Sequence, residues 1–118
     1  MPYVDGFLLA VPTDNKDAYK AFAEKMWPVI KDLGAVAMWE CWGNDIPDGE
    51  VTSFPMAVKK EDNEVVVFAW IEWPDKATRD AGNKKMMDDP RVAAMDPKKM
   101  PFDGMRMIFG GFEVLAKF

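Results

Sequence analysis

The chain has 118 residues, a length that suits one domain spanning residues 1–118, and its 49% apolar and 30% charged residues are typical of a soluble globular protein. The net charge of −5 argues against nucleic-acid binding, which usually requires a basic surface. No apolar run approaches the roughly 20 residues that span a membrane, and the N-terminal MPYVDGF lacks the features of a signal peptide. We therefore expect a cytoplasmic protein without a membrane partner.

Two scarce residue types limit the kinds of catalytic site and metal site that the chain can form. The chain has no histidine and a single cysteine, Cys41. This composition excludes Ser-His and Cys-His nucleophile pairs, histidine-ligated haem and the multi-cysteine zinc patterns. We expect no cofactor and no metal, so that any acid–base chemistry falls to Asp, Glu, Lys, Tyr or water.

The first third of the chain predicts a strand followed by a helix. Tyr3–Val11 has apolar residues on both faces of a strand, and Thr13 or Asp14 is expected to cap the next helix. Pro28 should kink this helix or end its regular part, and Gly34 suits the left-handed residue beyond its end. The apolar face, at three- and four-residue steps, consists of Tyr19, Phe22, Ala23, Met26, Ile30 and Leu33.

The rest of the chain predicts further strands and one more helix. The expected strands are Val36–Gly43, a short Phe54–Lys60, Glu64–Trp73, and Met105–Leu115 with a bulge or close approach at Gly110-Gly111. Asp75 is expected to cap a helix from Lys76 to about Asp88. The strand Glu64–Trp73 is apolar without a break from Val65 to Ile71. A strand with one face in water alternates apolar and polar residues, so both faces of this one need cover.

The order of the main elements, strand-helix-strand-strand-helix-strand, predicts an α+β fold, a ferredoxin-like split-βαβ sandwich. Its four-stranded antiparallel sheet has the order last, first, third, second, with helices on one face. The other face remains apolar over an area larger than a monomer tolerates. We therefore expect a homodimer that joins two open sheet faces, a dimeric α/β-barrel.

Longer sequence motifs resemble a known family. They are Tyr3-Val4-Asp5-Gly6-Phe7, Glu40-Cys41-Trp42-Gly43, Pro47-Asp48-Gly49, Trp70-Ile71-Glu72, Arg79-Asp80, Lys85-Met86-Met87, Asp89-Pro90-Arg91, Met100-Pro101-Phe102-Asp103-Gly104, Arg106-Met107-Ile108 and Gly110-Gly111-Phe112. This set is similar to the YbaA family of small bacterial proteins, a domain of unknown function, over essentially the whole chain. The resemblance implies the dimeric α/β-barrel superfamily, which includes cofactor-free monooxygenases, haem-degrading enzymes, isomerases and stress-induced proteins. It implies no activity for the family itself.

Three acids are candidates for proton transfer. The antiparallel sheet should bring Asp5, Glu72 and Glu113 to one end, where facing carboxylates raise one another's pKa. The alternative, which the sequence favours, is that they face solvent or form ion pairs with Arg79, Arg106 or a lysine.

A second candidate site combines Glu40 with Trp42 and Trp70 in an apolar pocket with one polar anchor. The alternative is that the tryptophans fill the core or the dimer interface. Glu72, Asp5 and Glu40 are therefore the candidate catalytic residues. Trp42, Trp70 and Arg106 are the candidate substrate-binding residues, with Arg106 as an anion anchor unless it forms a salt bridge.

Two further features have simpler explanations. Cys41, mid-strand among large aromatics, is expected to be structural. Asn44, Asp45 and Asp48 match a calcium-binding loop only loosely, and turn formation explains them equally well. The function that the sequence favours is a homodimeric binding or stress-related protein without catalysis, with a small hydrophobic ligand. The alternative is a cofactor-independent monooxygenase- or isomerase-like enzyme acting on a small hydrophobic or aromatic substrate.

Overall fold

Four antiparallel strands form one sheet in the computed structural model, which describes all 118 residues. The strands are β1 (Tyr3–Pro12), β2 (Ala37–Trp42), β3 (Glu64–Trp73) and β4 (Ile108–Glu113). Their order across the sheet is β2-β3-β1-β4. This order and the antiparallel pairing are those predicted, and β3 is a central strand.

Four helices connect the strands: α1 (Lys16–Asp32), α2 (Phe54–Ala57), α3 (Lys76–Met86) and α4 (Pro90–Ala93). Single turns of 3-10 helix cover 13–15, 97–99 and 104–106. Asp75 caps α3 as predicted, accepting a 2.7 Å hydrogen bond from the Thr78 amide. No helix is both long and apolar enough to cross a lipid bilayer.

The predicted short strand at Phe54–Lys60 is wrong, because its first residues form α2. The Ser53 hydroxyl accepts a 3.1 Å hydrogen bond from the Met56 amide, which caps a helix that begins with Phe54-Pro55. Proline is favoured in a first helical turn, where its missing amide is not needed. The segment that was predicted as a short strand therefore begins with a helix that Ser53 caps.

The entry into α1 also differs from the prediction. Neither Thr13 nor Asp14 caps the helix, because both lie in a 3-10 turn before it and the Thr13 hydroxyl donates to the Asn63 carbonyl instead. The helix continues past Pro28 to Asp32. Gly34 follows with a φ of +112°, the left-handed residue that was expected there.

The helices cover one face of the sheet, and the core lies between them. On this face β3 contributes Val67, Ala69, Ile71 and Trp73, all less than 10% exposed. Trp73 packs with Ile30 of α1 and Tyr3 of β1. The backbone of β4 approaches the same region closely at Gly111, where a Cβ atom would collide with the Tyr3 hydroxyl and the Arg79 guanidinium. A close approach was predicted within Gly110-Gly111.

The opposite face of the sheet is covered at one end only. Val58, which follows α2, packs there on Ala10 and Val66. The prediction that only one face has helical cover is therefore corrected at this end. The remainder, which we call the open sheet face, carries large apolar side chains that are at least partly exposed: Trp39, Phe68, Trp70, Ile108 and Phe112. Trp39 and Trp70 are register partners and stack with ring centroids 5.4 Å apart.

Candidate functional site

The structure does not assemble the predicted cluster of three acids. Glu72 is paired with Val4 across the sheet, so its side chain points to the face opposite that of Asp5. Glu113 is paired with Tyr3 and is exposed to solvent. Strand position was predicted well, but the alternation of side chains places Glu72 on the face opposite Asp5 and Glu113, and Glu113 is exposed whereas Asp5 is buried. The prediction that these carboxylates face one another is wrong.

Asp5 instead belongs to a buried ion pair. It is 6% exposed and accepts hydrogen bonds from the Trp73 indole (2.9 Å) and from Arg79 Nη2 (2.8 Å) and Nε (3.0 Å). The side-chain hydrogen bond to Asp5 raises the pKa of the Arg79 guanidinium above its ordinary value. Arg79 also lies over the Tyr3 ring, 5.2 Å from its centroid. This arrangement holds α3 to the sheet and leaves Asp5 no free role as a base.

Arg106 is likewise occupied by its own chain. Its Nη2 lies 2.6 Å from Glu64, its Nε lies 3.0 Å from Asp103, and its Nη1 donates to the Lys59 carbonyl at 3.0 Å. The side-chain hydrogen bond to Arg106 lowers the pKa of the buried Glu64 carboxyl. The salt bridge that was the alternative for Arg106 is therefore the one observed, and the arginine is not positioned as an anion anchor.

The structure brings together only part of the second predicted site. Glu40 and Trp42 lie on the helix-covered face of β2, as their two-residue spacing predicted. Trp70 lies on the opposite face, where it stacks on Trp39. The pocket therefore forms from Glu40 and Trp42 with residues of α1, and without Trp70.

This pocket is a cleft of about 830 Å³ between α1 and the edge strand β2. We call it the α1–β2 cleft. Ten of its fifteen lining residues are hydrophobic. Its aromatic walls are Tyr19, Trp27 and Trp42, and Trp39 also contributes to the lining although its ring stacks on Trp70 on the open sheet face. The cleft exists because β2 is an edge strand, so no further strand covers the outer side of its tryptophans.

The polar centre of the cleft is a tyrosine–carboxylate pair. The Tyr19 hydroxyl donates to the Glu40 carboxylate, 2.8 Å from Oε1 and 3.0 Å from Oε2. Burial and the adjacent carboxylate raise the pKa of Tyr19 well above its ordinary value. Burial also raises the pKa of Glu40, although the hydrogen bond from Tyr19 acts in the opposite direction. The sequence analysis did not predict Tyr19 as a site residue, because its position on the apolar face of α1 indicated only that it packs in the core.

The other acids with shifted pKa values differ from Glu40 in direction. Hydrogen-bonding partners lower the pKa of Glu64, Asp80 and Asp103, whereas that of Glu40 is raised. Glu40 forms no salt bridge in the structure. Lys16 also lines the cleft, and its Nζ lies over the Trp42 ring, 5.5 Å from its centroid.

Two remaining groups of polar side chains and one further groove lie outside the Tyr19–Glu40 pair. No group of three or more Cys, Asp or Glu side chains is placed to hold a metal ion, including the turn with Asn44, Asp45 and Asp48. Cys41 is partly exposed and lines the cleft beside Trp42. A second groove, of about 990 Å³, lies between α1 and the segment 91–101, but half of its lining residues are polar or charged.

Comparisons with known proteins give a similar fold and a family, and none of them names an activity. The structure resembles the crystal structure of an uncharacterized NIPSNAP domain protein from Burkholderia xenovorans, with a TM-score of 0.59 over 100% of both chains. At 13% identity, this likeness concerns the fold alone. The chain is also 59% identical to the uncharacterized protein YbaA of Escherichia coli K12 over 113 residues, 96% of each chain, and the match to YbaA of Shigella flexneri has the same values. Because residues 2–104 also match the family described as "Protein of unknown function (DUF1428)", the chain belongs to that family, together with YbaA.

Proposed function

We propose that the protein is a homodimeric binding protein that holds a small hydrophobic, preferably aromatic ligand in the α1–β2 cleft of each protomer. The observation that carries this proposal is a cleft with aromatic walls in which the Tyr19 hydroxyl is hydrogen-bonded to the Glu40 carboxylate. We propose no reaction for this primary function.

The dimensions and chemistry of the cleft support ligand binding. Its volume of about 830 Å³ lies within the roughly 300–1,000 Å³ of small-molecule sites. Such sites combine apolar walls with a few polar groups that orient the ligand, and here Glu40 and Tyr19 supply those groups. Tryptophan rings offer large flat surfaces that favour stacking with a planar ligand.

The homodimer is supported by the open sheet face. Trp39, Phe68 and Phe112 are 53%, 45% and 60% exposed, and they lie on neighbouring strands of one face. Monomeric proteins rarely expose a contiguous apolar patch of this kind. We propose that two copies join these faces as a dimeric α/β-barrel of ferredoxin-like subunits. Trp39 lines both the open sheet face and the cleft, so the partner would lie beside the cleft mouth.

Calorimetric titration with 1-naphthylmethanol tests the binding proposal. We expect saturable binding with one site per protomer, and a loss of affinity of about fivefold or more in Trp42→Ala, because aromatic contact in a ligand site is worth about 1 kcal/mol or more. Met105→Ala is the control, since Met105 is 94% exposed and lies outside the cleft. Equal affinities for wild type and Trp42→Ala would show that any binding occurs elsewhere.

One observation favours the alternative of a cofactor-independent enzyme. A general base that works near neutral pH needs a raised carboxyl pKa, and Glu40 has one. In an isomerase, Glu40 would take a proton from one carbon of the ligand and return it to another. Incubation of cyclic enones in D₂O with wild-type protein and Glu40→Gln, followed by mass spectrometry, tests this. Enzyme-dependent deuterium uptake that Glu40→Gln abolishes would support catalysis, and its absence across the panel would leave binding alone.

A further inference from the structure

We infer that the α1–β2 cleft selects hydrophobic amines in their protonated form, with the ammonium group hydrogen-bonded to the Glu40 carboxylate and the apolar body against the tryptophan walls. This inference rests on the proposed ligand-binding function and specifies the chemical class of the ligand.

The first argument is the missing counterion of Glu40. The two buried acids, Asp5 and Glu64, each have an arginine within 2.8 Å. Glu40 is an exposed residue on the cleft, and no lysine or arginine nitrogen lies within 4.0 Å of its carboxylate. A carboxylate without a paired cation is free to accept charge-assisted hydrogen bonds from a bound cationic group.

The second argument is the acceptor capacity that remains on Glu40. Two carboxylate oxygens provide about four acceptor sites. The only side-chain donor to them is the Tyr19 hydroxyl, which has one hydrogen to share between Oε1 and Oε2. Tyr19 is 6% exposed and fixed in the core, so it orients the carboxylate without saturating it. An ammonium group has three donors and no acceptor, and therefore matches the unused sites.

The third argument is the character of the walls. Aromatic faces attract cations, and tryptophan does so most strongly. The chain already places one ammonium group on a cleft ring, since Lys16 Nζ lies 5.5 Å from the Trp42 centroid. The ring of Trp27, which also lines the cleft, has no such cation. Charged residues on the cleft are Lys16, Lys20, Asp17, Glu24 and Glu40, two positive and three negative, so the balance favours a cation.

Three ligands that share one ring system test the inference: 1-naphthylmethylamine, 1-naphthylmethanol and 1-naphthoate, titrated into the full-length protein at pH 7. We expect the amine to bind about tenfold tighter than the alcohol, because a hydrogen bond to an ionised group is worth about 1.5 kcal/mol or more. The naphthoate should bind weakest. Equal affinities, or the tightest binding for naphthoate, would overturn the inference and leave the proposed binding function intact. Binding of none of the three would overturn both.

Two substitutions in the cleft should have opposite effects. Glu40→Gln keeps the shape and removes the charge, so we expect about a tenfold loss of amine affinity and less than about a twofold change for the alcohol. Lys16→Gln removes a competing ammonium group, so amine affinity should rise. Retained alcohol binding shows that the Glu40→Gln cleft is folded. Glu50→Gln, at an exposed position outside the cleft, controls for the net charge. If Glu40→Gln and Glu50→Gln lower amine affinity equally, Glu40 is not the recognition group.

Discussion

Removal of the arginine from the buried Asp5–Arg79 pair should be among the most damaging single changes in the chain. In Arg79→Met the apolar stem remains, but the Asp5 carboxylate keeps only the Trp73 indole as a side-chain donor. The Asp5 and Arg79 side chains are 8% and 20% exposed, so solvent replaces the lost partner poorly. Removal of one member of a buried pair typically costs about 3–5 kcal/mol. The partial exposure of Arg79 favours the lower end, about 3 kcal/mol.

Urea denaturation followed by circular dichroism measures this loss as a free energy of unfolding. For a domain of this size, about 3 kcal/mol corresponds to a decrease in Tm of roughly 10 °C. The double variant Asp5→Asn with Arg79→Met should recover most of the loss, because replacing both partners removes the unpaired charge. Lys76→Met is the matched control, since it breaks the exposed Lys76–Asp80 pair and should leave stability unchanged. An Arg79→Met protein as stable as the control, or a double variant less stable than Arg79→Met, would refute the reasoning.

Three further predictions concern other parts of the fold. Glu64→Gln should be less stable than wild type at pH 7, because Arg106 lowers the folded-state pKa of Glu64. The stability that ionised Glu64 contributes is fully present above its unfolded-state pKa of about 4.3, and it is lost as the pH falls through its lower folded-state pKa. Urea titrations between pH 7 and 3 should show that the difference between the two proteins shrinks as the pH falls below about 4.3, and a constant difference would contradict this. Trp70→Lys should give a monomer in sedimentation velocity at micromolar concentration while Met105→Lys stays dimeric, and a monomeric wild type would refute the dimer. Gly82→Ala should lower Tm although alanine favours helices, because the alanine Cβ would lie 2.9 Å from the Trp73 ring. A higher Tm would contradict this and show that the Trp73 side chain moves to make room for the Cβ atom.

The sequence predicted the sheet well because its signals are local and strong. The position of β3 follows from its apolar run, the strand order follows from the order of elements along the chain, and Gly34 follows from the helix end. The Ser53-Pro55 helix start was missed, because the apolar residues around it also fit a strand. The start of α1 was missed because Thr13 has a distant partner, the Asn63 carbonyl, which local sequence cannot reveal.

The candidate site was predicted only in part because its geometry depends on faces and on pairing across the chain. Glu40 and Trp42 were correctly placed together, since residues two apart on a strand share a face. Trp70 was placed with them by adjacency, but the register pairs it with Trp39. Arg106 and Asp5 were offered as functional because their partners, Glu64 and Arg79, lie 42 and 74 residues away in the chain. To recognise Tyr19 from the sequence, one would have had to know that its hydroxyl faces Glu40, the one acid on the helix-covered face of β2.

A crystal structure of the protein with 1-naphthylmethylamine tests the proposed binding function most directly. Our account predicts the naphthalene ring between α1 and β2 in each protomer, with the ammonium nitrogen within hydrogen-bonding distance of Glu40. Two protomers should meet through Trp39, Phe68 and Phe112. Ligand bound only outside the cleft, or an empty cleft at saturating ligand concentration, would contradict the account.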